Sequence, residues 1–219
     1  MSAPLKPSAQ TGSLAEQAYR VLEEQLVTLR LAPGELVSEK DLMDKAAIGR
    51  TPVREAIQRL SAEGLLQILP RKGLMVTPLR RSDLVRIFEA RRVLERLMAV
   101  KAAERATPEQ RLALKFLSNN LLAAANDLEL FFQLDQQLNE LLESACDNRF
   151  LVNALTVMHS QCRRLWYMHR KSLDLPLSAR LHSGLALAVA NADAAGAIRA
   201  LDEIISILEG LVHELDVLS

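Results

Sequence analysis

Apolar residues in the first part of the chain recur at three- and four-residue steps: Leu14, Ala18, Val21, Leu22, Leu26 and Leu29. That spacing lays one apolar stripe along a helix and predicts α-helix from about Ser13 to Leu31. Pro33-Gly34 stops it. Ser38 then stands as an N-cap, with Asp41 at the third helical position, and a short helix to about Ala46 follows. Ala47-Ile48-Gly49 reads as a tight turn. Thr51-Pro52 opens a third helix, ending near Gly64, with Thr51 as N-cap and Pro52 at the first helical position, where its missing N–H has no helical acceptor to lose. Two strand-like runs come next, Leu65–Leu69 and Leu74–Thr77, separated by Pro70-Arg71-Lys72-Gly73. They read as a β-hairpin with a basic tip, closed by Pro78.

From about Ser82 the pattern is helical throughout, with helices placed near 82–106, 108–125, 127–145, 148–171, 176–191 and 193–217. The breaks carry chemical marks. Thr107-Pro108-Glu109-Gln110 is a cap, an N1 proline and a capping-box glutamine. Asn126-Asp127, Asp147-Asn148, Leu175-Pro176 and Asn191-Ala192-Asp193 mark the others. The expected fold is mostly α: an N-terminal winged helix-turn-helix (three helices plus a β-hairpin) over residues 13–79, then an antiparallel bundle of about six helices over residues 82–217. Residues 1–12, polar and aperiodic, are expected to be a disordered arm.

Composition narrows the class. Hydrophobic residues are 49% of the 219 and aromatics only 4%, a bias toward Leu and Ala that suits helices. Such a chain affords a core without disulfides or metals. Cys146 and Cys162 sit in helical stretches and read as reduced, buried residues of a cytosolic protein. No charged-then-apolar leader and no membrane-length apolar run is present, so a cytoplasmic protein without a membrane partner is expected. Net charge is zero, but Lys45 to Arg81 holds eight basic residues against Glu55 and Glu63, a net of +6. A basic segment in a neutral chain is an electrostatic footprint for nucleic acid.

Arg50 and Arg54 fall one turn apart on one face at the start of the third helix, while Val53, Ala56, Ile57 and Leu60 face inward. A recognition helix enters the major groove by its N-terminal end, and an arginine fork bonds guanine O6 and N7 together or clamps a phosphate. Thr51 is placed to reach the backbone or a thymine methyl, and the tip Arg71-Lys72-Gly73 to lie along the minor groove. Glu39 and Glu55 are expected to pair with neighbouring cations. The segments LAPGELVSEKDL, GRTPVREAIQRLSAEGLL and RKGLMV, within Leu14–Val76, resemble the DNA-binding domain of the GntR family. That resemblance implies operator contacts from Lys40, Arg50 and Arg54, supported by Thr51 and the wing glycine Gly73.

The later segments FEARRVLERLMAVKAAERAT, LDQQLNELLESACDNRFL and LHSGLALAVANADAAGAI resemble, more loosely, the helical ligand domain of the FadR-type subfamily, the FCD domain. The resemblance implies a homodimeric regulator, expected to be a repressor, reading palindromic double-stranded operator DNA and answering to a small-molecule effector of the organic-acid class. Many relatives hold a divalent metal with one Asp and three His. Here Asp135 and His182 keep two of those places, while Asn139 and Ile204 stand at the others. A tightly bound metal is therefore not expected; the site is degenerate, with Asp135 and His182 only, and weak divalent binding there stays open. Arg91, Asp135, Asn139 and His182 are expected to line an effector pocket, the alternative for Arg91 being a structural pair with Asp135 or Glu95. Trp166 and Tyr167 border the pocket, pack in the core or face a dimer partner. His159, His169 and His213 fall off the pattern and read as surface or interfacial. Two other readings stay open: a regulator with a decayed pocket, and a bundle metalloenzyme carrying a DNA-binding-like module, which needs a complete metal site.

Overall fold

The computed structural model describes residues 12–171 and 173–214. Most of the expected N-terminal arm, the last residues of the final expected helix and the His213 side chain lie outside the described residues. The chain divides into two compact units between Pro78 and Leu79.

The first unit runs α1 (Leu14–Val27), β1 (Leu36–Val37), α2 (Glu39–Ala46), α3 (Arg50–Ala62), β2 (Leu66–Leu69) and β3 (Gly73–Val76). Helix α1 starts on its Ser13 cap but stops earlier than periodicity suggests. The Thr28 hydroxyl donates to the Glu24 carbonyl and Leu29 turns left-handed at φ 59°, so the chain leaves the helix before Pro33. Helix α2 has both halves of a capping box, Ser38 with Asp41. It ends on Ala47 in the left-handed region, which swings the chain into α3.

The start of α3 corrects the sequence reading. The N-cap is Gly49, not Thr51; Arg50 is the first helical residue, and Thr51 and Pro52 lie within the first turn. The proline is tolerated there because the amides of the whole first turn lack helical acceptors. Val53, Ala56, Ile57 and Leu60 are buried, as their spacing requires, against Ala18, Leu22 and Leu26 of α1 and Leu42 of α2. The hairpin is antiparallel, with Leu69 opposite Gly73, and β1 adds to its other side, giving the order β1-β3-β2. The two-residue β1 is too short to leave a periodic signal. Gly73 has φ 96°, and a Cβ there would meet the Val37 carbonyl oxygen at 3.1 Å, so the turn and the added strand both demand glycine.

The second unit holds α4 (Arg81–Arg105), α5 (Pro108–Ala123), α6 (Leu128–Cys146), α7 (Arg149–His169), α8 (Leu175–Ala190) and α9 (Ala194–Glu214). The starts of α5 to α9 are fixed by local side-chain caps, whereas α4 starts after Arg80 without one. Thr107 and Gln110 form the expected capping box. Asp127, Asn148 and Asp174 cap α6, α7 and α8 by accepting an amide three residues on, and Asp193 does the same for Gly196. Helix α4 packs on α9 and α6, α5 on α8, and α8 on α9. Their apolar faces build one core, from Phe88 and Met98 through Phe131 and Leu165 to Ile205 and Leu208.

Candidate functional site

In the first unit the basic residues gather where α2, α3 and the hairpin present their exposed sides. The Glu39 carboxylate, at the start of α2, takes the Arg50 Nε at 3.0 Å and the Arg54 Nε at 2.9 Å. Both arginines remain well exposed, their side chains at 70% and 64%, against 29% for Glu39. Each guanidinium is held through its Nε, and its Nη groups are further donors of the kind that engage a base or phosphate. Lys40 and Thr51 are exposed beside them. A groove of about 510 Å³ between α3 and the hairpin is lined by Glu39, Arg54, Gln58, Ile68, Arg71 and Gly73. Arg71, at φ 63°, and Lys72 project from the exposed turn. Gln58, one turn beyond Arg54, was not among the sequence candidates; its i, i+4 spacing from Arg54 is the signal that finds it. Glu39 is paired with cations, as expected.

The second unit encloses a cavity of about 60 Å³. Its walls bring together all four expected effector residues: Arg91 from α4, Asp135 and Asn139 from α6, and His182 from α8. Phe132, Trp166, Leu185, Leu201, Ile204 and Leu208 supply apolar wall. Arg91 pairs with Glu95 and not with Asp135: its Nε and Nη2 reach Glu95 Oε1 at 2.7 and 2.6 Å, the i, i+4 spacing placing both on one helix face. The same oxygen accepts His159 Nε2 at 2.7 Å. Arg91 Nη1 and Glu95 Oε2, both buried, make no hydrogen bond. Burial alone raises the Glu95 carboxyl, but Arg91 and His159 outweigh it and hold the group down at about 2, so it is ionised. Burial pushes the neighbouring Cys162 thiol up, which leaves it neutral and unreactive.

His159 corrects the sequence reading. It is a cavity residue, with 13% of its side chain exposed, and its Nδ1 lies 3.9 Å from Glu143. His169 is also buried, at 6%. On α7, Leu155, His159, Cys162 and Trp166 share one helical stripe, and that stripe is the signal that places His159 inward. Trp166 borders the cavity and stacks on Phe131 at 5.8 Å. Tyr167 stacks on Phe132 at 4.7 Å and is not among the lining residues.

The degenerate metal site is testable by donor chemistry. His182 Nδ1 donates to the Ser178 carbonyl at 2.7 Å, which turns Nε2 to Asp135 Oδ1 at 3.3 Å. The Asn139 amide nitrogen is committed to the Asp135 carbonyl at 3.0 Å. Ile204 lines the same cavity and has no donor atom. Two ligands and an amide fall short of the three or four strong donors that hold zinc, and among the described residues no group of three or more His, Cys, Asp or Glu is placed to hold a metal.

Comparison with known proteins agrees with both halves. The profile described as "Bacterial regulatory proteins, gntR family" matches residues 14–76, and that of the FCD domain matches residues 86–206, more than half of the chain. The HTH-type transcriptional repressor RspR of Escherichia coli K12 is 26% identical over 196 residues, covering 88% of this chain and 86% of that protein. The Nta operon transcriptional regulator of Aminobacter aminovorans is 26% identical, covering 86% of this chain and 93% of its own. Among solved structures, E. coli McbR/YncC superposes with a TM-score of 0.82 at 22% identity, covering 94% of this chain and 99% of that one, which shows a shared fold. Family and relatives alike are regulators rather than enzymes, and no described helix is long and apolar enough to cross a membrane. Winged helix-turn-helix, capped bundle and matched profiles converge: the chain belongs to the GntR family of bacterial regulatory proteins, as a transcriptional regulator of the type that carries an FCD domain.

Proposed function

We propose that this protein is a cytoplasmic, homodimeric repressor that reads a palindromic operator and changes its affinity for it when a small organic acid occupies the bundle cavity. Lys40, Arg50, Thr51 and Arg54 engage the major groove, and Arg71, Lys72 and Gly73 the adjacent backbone or minor groove. Two-fold symmetry of the dimer mirrors the palindrome. RspR, a relative named as a repressor, supports the sign of the control. The cavity works without a tightly held metal.

The observation that carries the effector half is the ionic cavity itself. Arg91 and Glu95 are 7% and 2% exposed in an apolar bundle, and each keeps a buried polar atom without a partner. Buried donors and acceptors left unmade are costly, so a wall that keeps them is a wall shaped for an occupant. A decayed pocket retained for nothing would be stabilised by apolar replacement. An occupant alters operator affinity only if it binds the two arrangements of the protein unequally.

The test is operator titration with the full chain, on a duplex selected from a random pool, at fixed salt. A small organic acid that changes Trp166 fluorescence is expected to shift the operator Kd in the same concentration range. Trp166 is the chain's one tryptophan and lines the cavity, so it reports occupancy directly. Occupancy with no shift in operator Kd refutes the effector role.

A further inference from the structure

We propose that the outward face of α4 is a self-pairing surface, on which the α4 of a second copy of this chain lies antiparallel; this rests on reading the protein as a homodimer. Helix α4 is apolar on two opposite sides. Leu84, Phe88 and Met98 are buried in the bundle core. Val93 and Leu97, on the other side, are 69% and 44% exposed. With the half-buried Ala90 and Val100 they form one stripe. Its positions 90, 93, 97 and 100 alternate steps of three and four residues, the 3.5-residue period of a helix that packs along another helix. A helix served only by its own bundle turns polar residues outward.

Charge names the occupant. Arg86 stands at one end of the stripe and Glu104 at the other, both exposed. Arg86 lies 3.7 Å from Asp83, and Glu104 2.7 Å from Lys101, surface pairs within the same helix that cost little to loosen. Laid antiparallel about a two-fold axis, the stripe complements itself. Val93 meets the partner's Leu97, Ala90 meets the partner's Val100, a small side chain against a larger one, and Arg86 meets the partner's Glu104. All three pairings share one midpoint, at the level of residue 95, so a single axis generates them. A parallel alignment sets Arg86 on Arg86 and Glu104 on Glu104, which repels at both ends. From Arg86 to Glu104 the contact runs about 27 Å, or about five helical turns. Leu112 and Phe116 of α5 are exposed as well. Their stripe begins at Glu109 and continues to Ala123 and Asn126, with no cation to answer the glutamate across a two-fold axis.

The experiment measures the dimer Kd of the full chain by sedimentation equilibrium, with circular dichroism as the check on folding. The variants are Arg86→Glu, Glu104→Arg, the two reversals combined, Val93→Asp, and Leu112→Asp with Phe116→Asp. Each single reversal sets like charges together twice by symmetry and is expected to raise the Kd about tenfold, and the combined reversal to return it to within about threefold of the parent. Val93→Asp, which brings two carboxylates into the apolar centre, is expected to raise it at least about a hundredfold. All these side chains are exposed, so parent helix content is expected; should Val93→Asp fail to fold, the charge series decides alone. Single reversals that weaken the dimer without recovery in the combined variant overturn the antiparallel pairing. A dimer that every α4 variant leaves intact overturns the α4 face and keeps the homodimer, whether or not the α5 variant dissolves it. A parent chain that stays monomeric at every concentration, with and without the selected operator, overturns both.

Discussion

Glu39→Gln removes a carboxylate that holds two arginines at once. In the free protein the pairs lie at 3.0 and 2.9 Å on a well-exposed surface, so each contributes only about 0–1 kcal/mol to folding. The larger effect falls on DNA. With Glu39 about 6 Å from the nearest phosphate in water, its repulsion is worth roughly 0.7 kcal/mol, so its loss tightens binding to a scrambled duplex about threefold. One more net positive charge at the interface also steepens the dependence of log K on log salt by about 0.9, or about three- to fourfold between about 50 and about 200 mM. The selected operator gains less, because Arg50 and Arg54 lose the carboxylate that orients them before contact. Fluorescence anisotropy on selected and scrambled duplexes at two salt concentrations measures all of this. The specificity ratio is expected to fall while scrambled affinity rises. An unchanged scrambled affinity and an unchanged salt slope would show that the surface shared by α2 and α3 does not face DNA.

Gly73→Ala is expected to destabilise the wing by about 1–3 kcal/mol in a denaturant melt, since it forces φ 96° on a side chain and presses Cβ on the Val37 carbonyl; an unchanged midpoint refutes the strain. Asn139→His with Ile204→His adds two imidazoles beside Asp135 and His182, and calorimetry is expected to show stoichiometric zinc binding, reversed by chelator, that the parent chain lacks. Zinc bound equally well by the parent contradicts the degenerate site. The Glu95 carboxyl, ordinarily 4.5, is held at about 2, so its ionised form adds stability that is full above about pH 4.5 and is lost as pH falls toward 2. Denaturant midpoints against pH are expected to fall more steeply in that window for the parent than for Glu95→Gln, and parallel curves argue against the pair.

Much of the architecture was legible because it is written in local chemistry. Ser38 with Asp41 and Thr107 with Gln110 fix helix starts through bonds made within one turn. The start of α3 was misread because Thr-Pro also suits the interior of a first turn, and the decision for Gly49 lies in the left-handed Ala47 before it. Strand β1 exists only because β3 offers it an edge, a long-range cause that no window around Leu36 and Val37 contains. In the cavity, Asp135 and Asn139 share a helix face by spacing alone, but their approach to His182 and to the Arg91–Glu95 pair depends on how α4, α6 and α8 pack. His159 was missed for a related reason. A histidine on an apolar stripe reads as core, partner or ligand until the carboxylates of α4 and α6 are brought to it.

The most direct test of the account is operator binding by Arg54→Ala at fixed salt. Loss of one bidentate base contact costs about 1–3 kcal/mol, so the selected operator is expected to bind about five- to 150-fold more weakly, with discrimination against the scrambled duplex falling in step. Arg54 is exposed and outside the apolar core, so the thermal melt and the sedimentation profile are expected to match the parent. Operator affinity and discrimination that both remain at parent values would contradict the assignment of α3 as the reading helix.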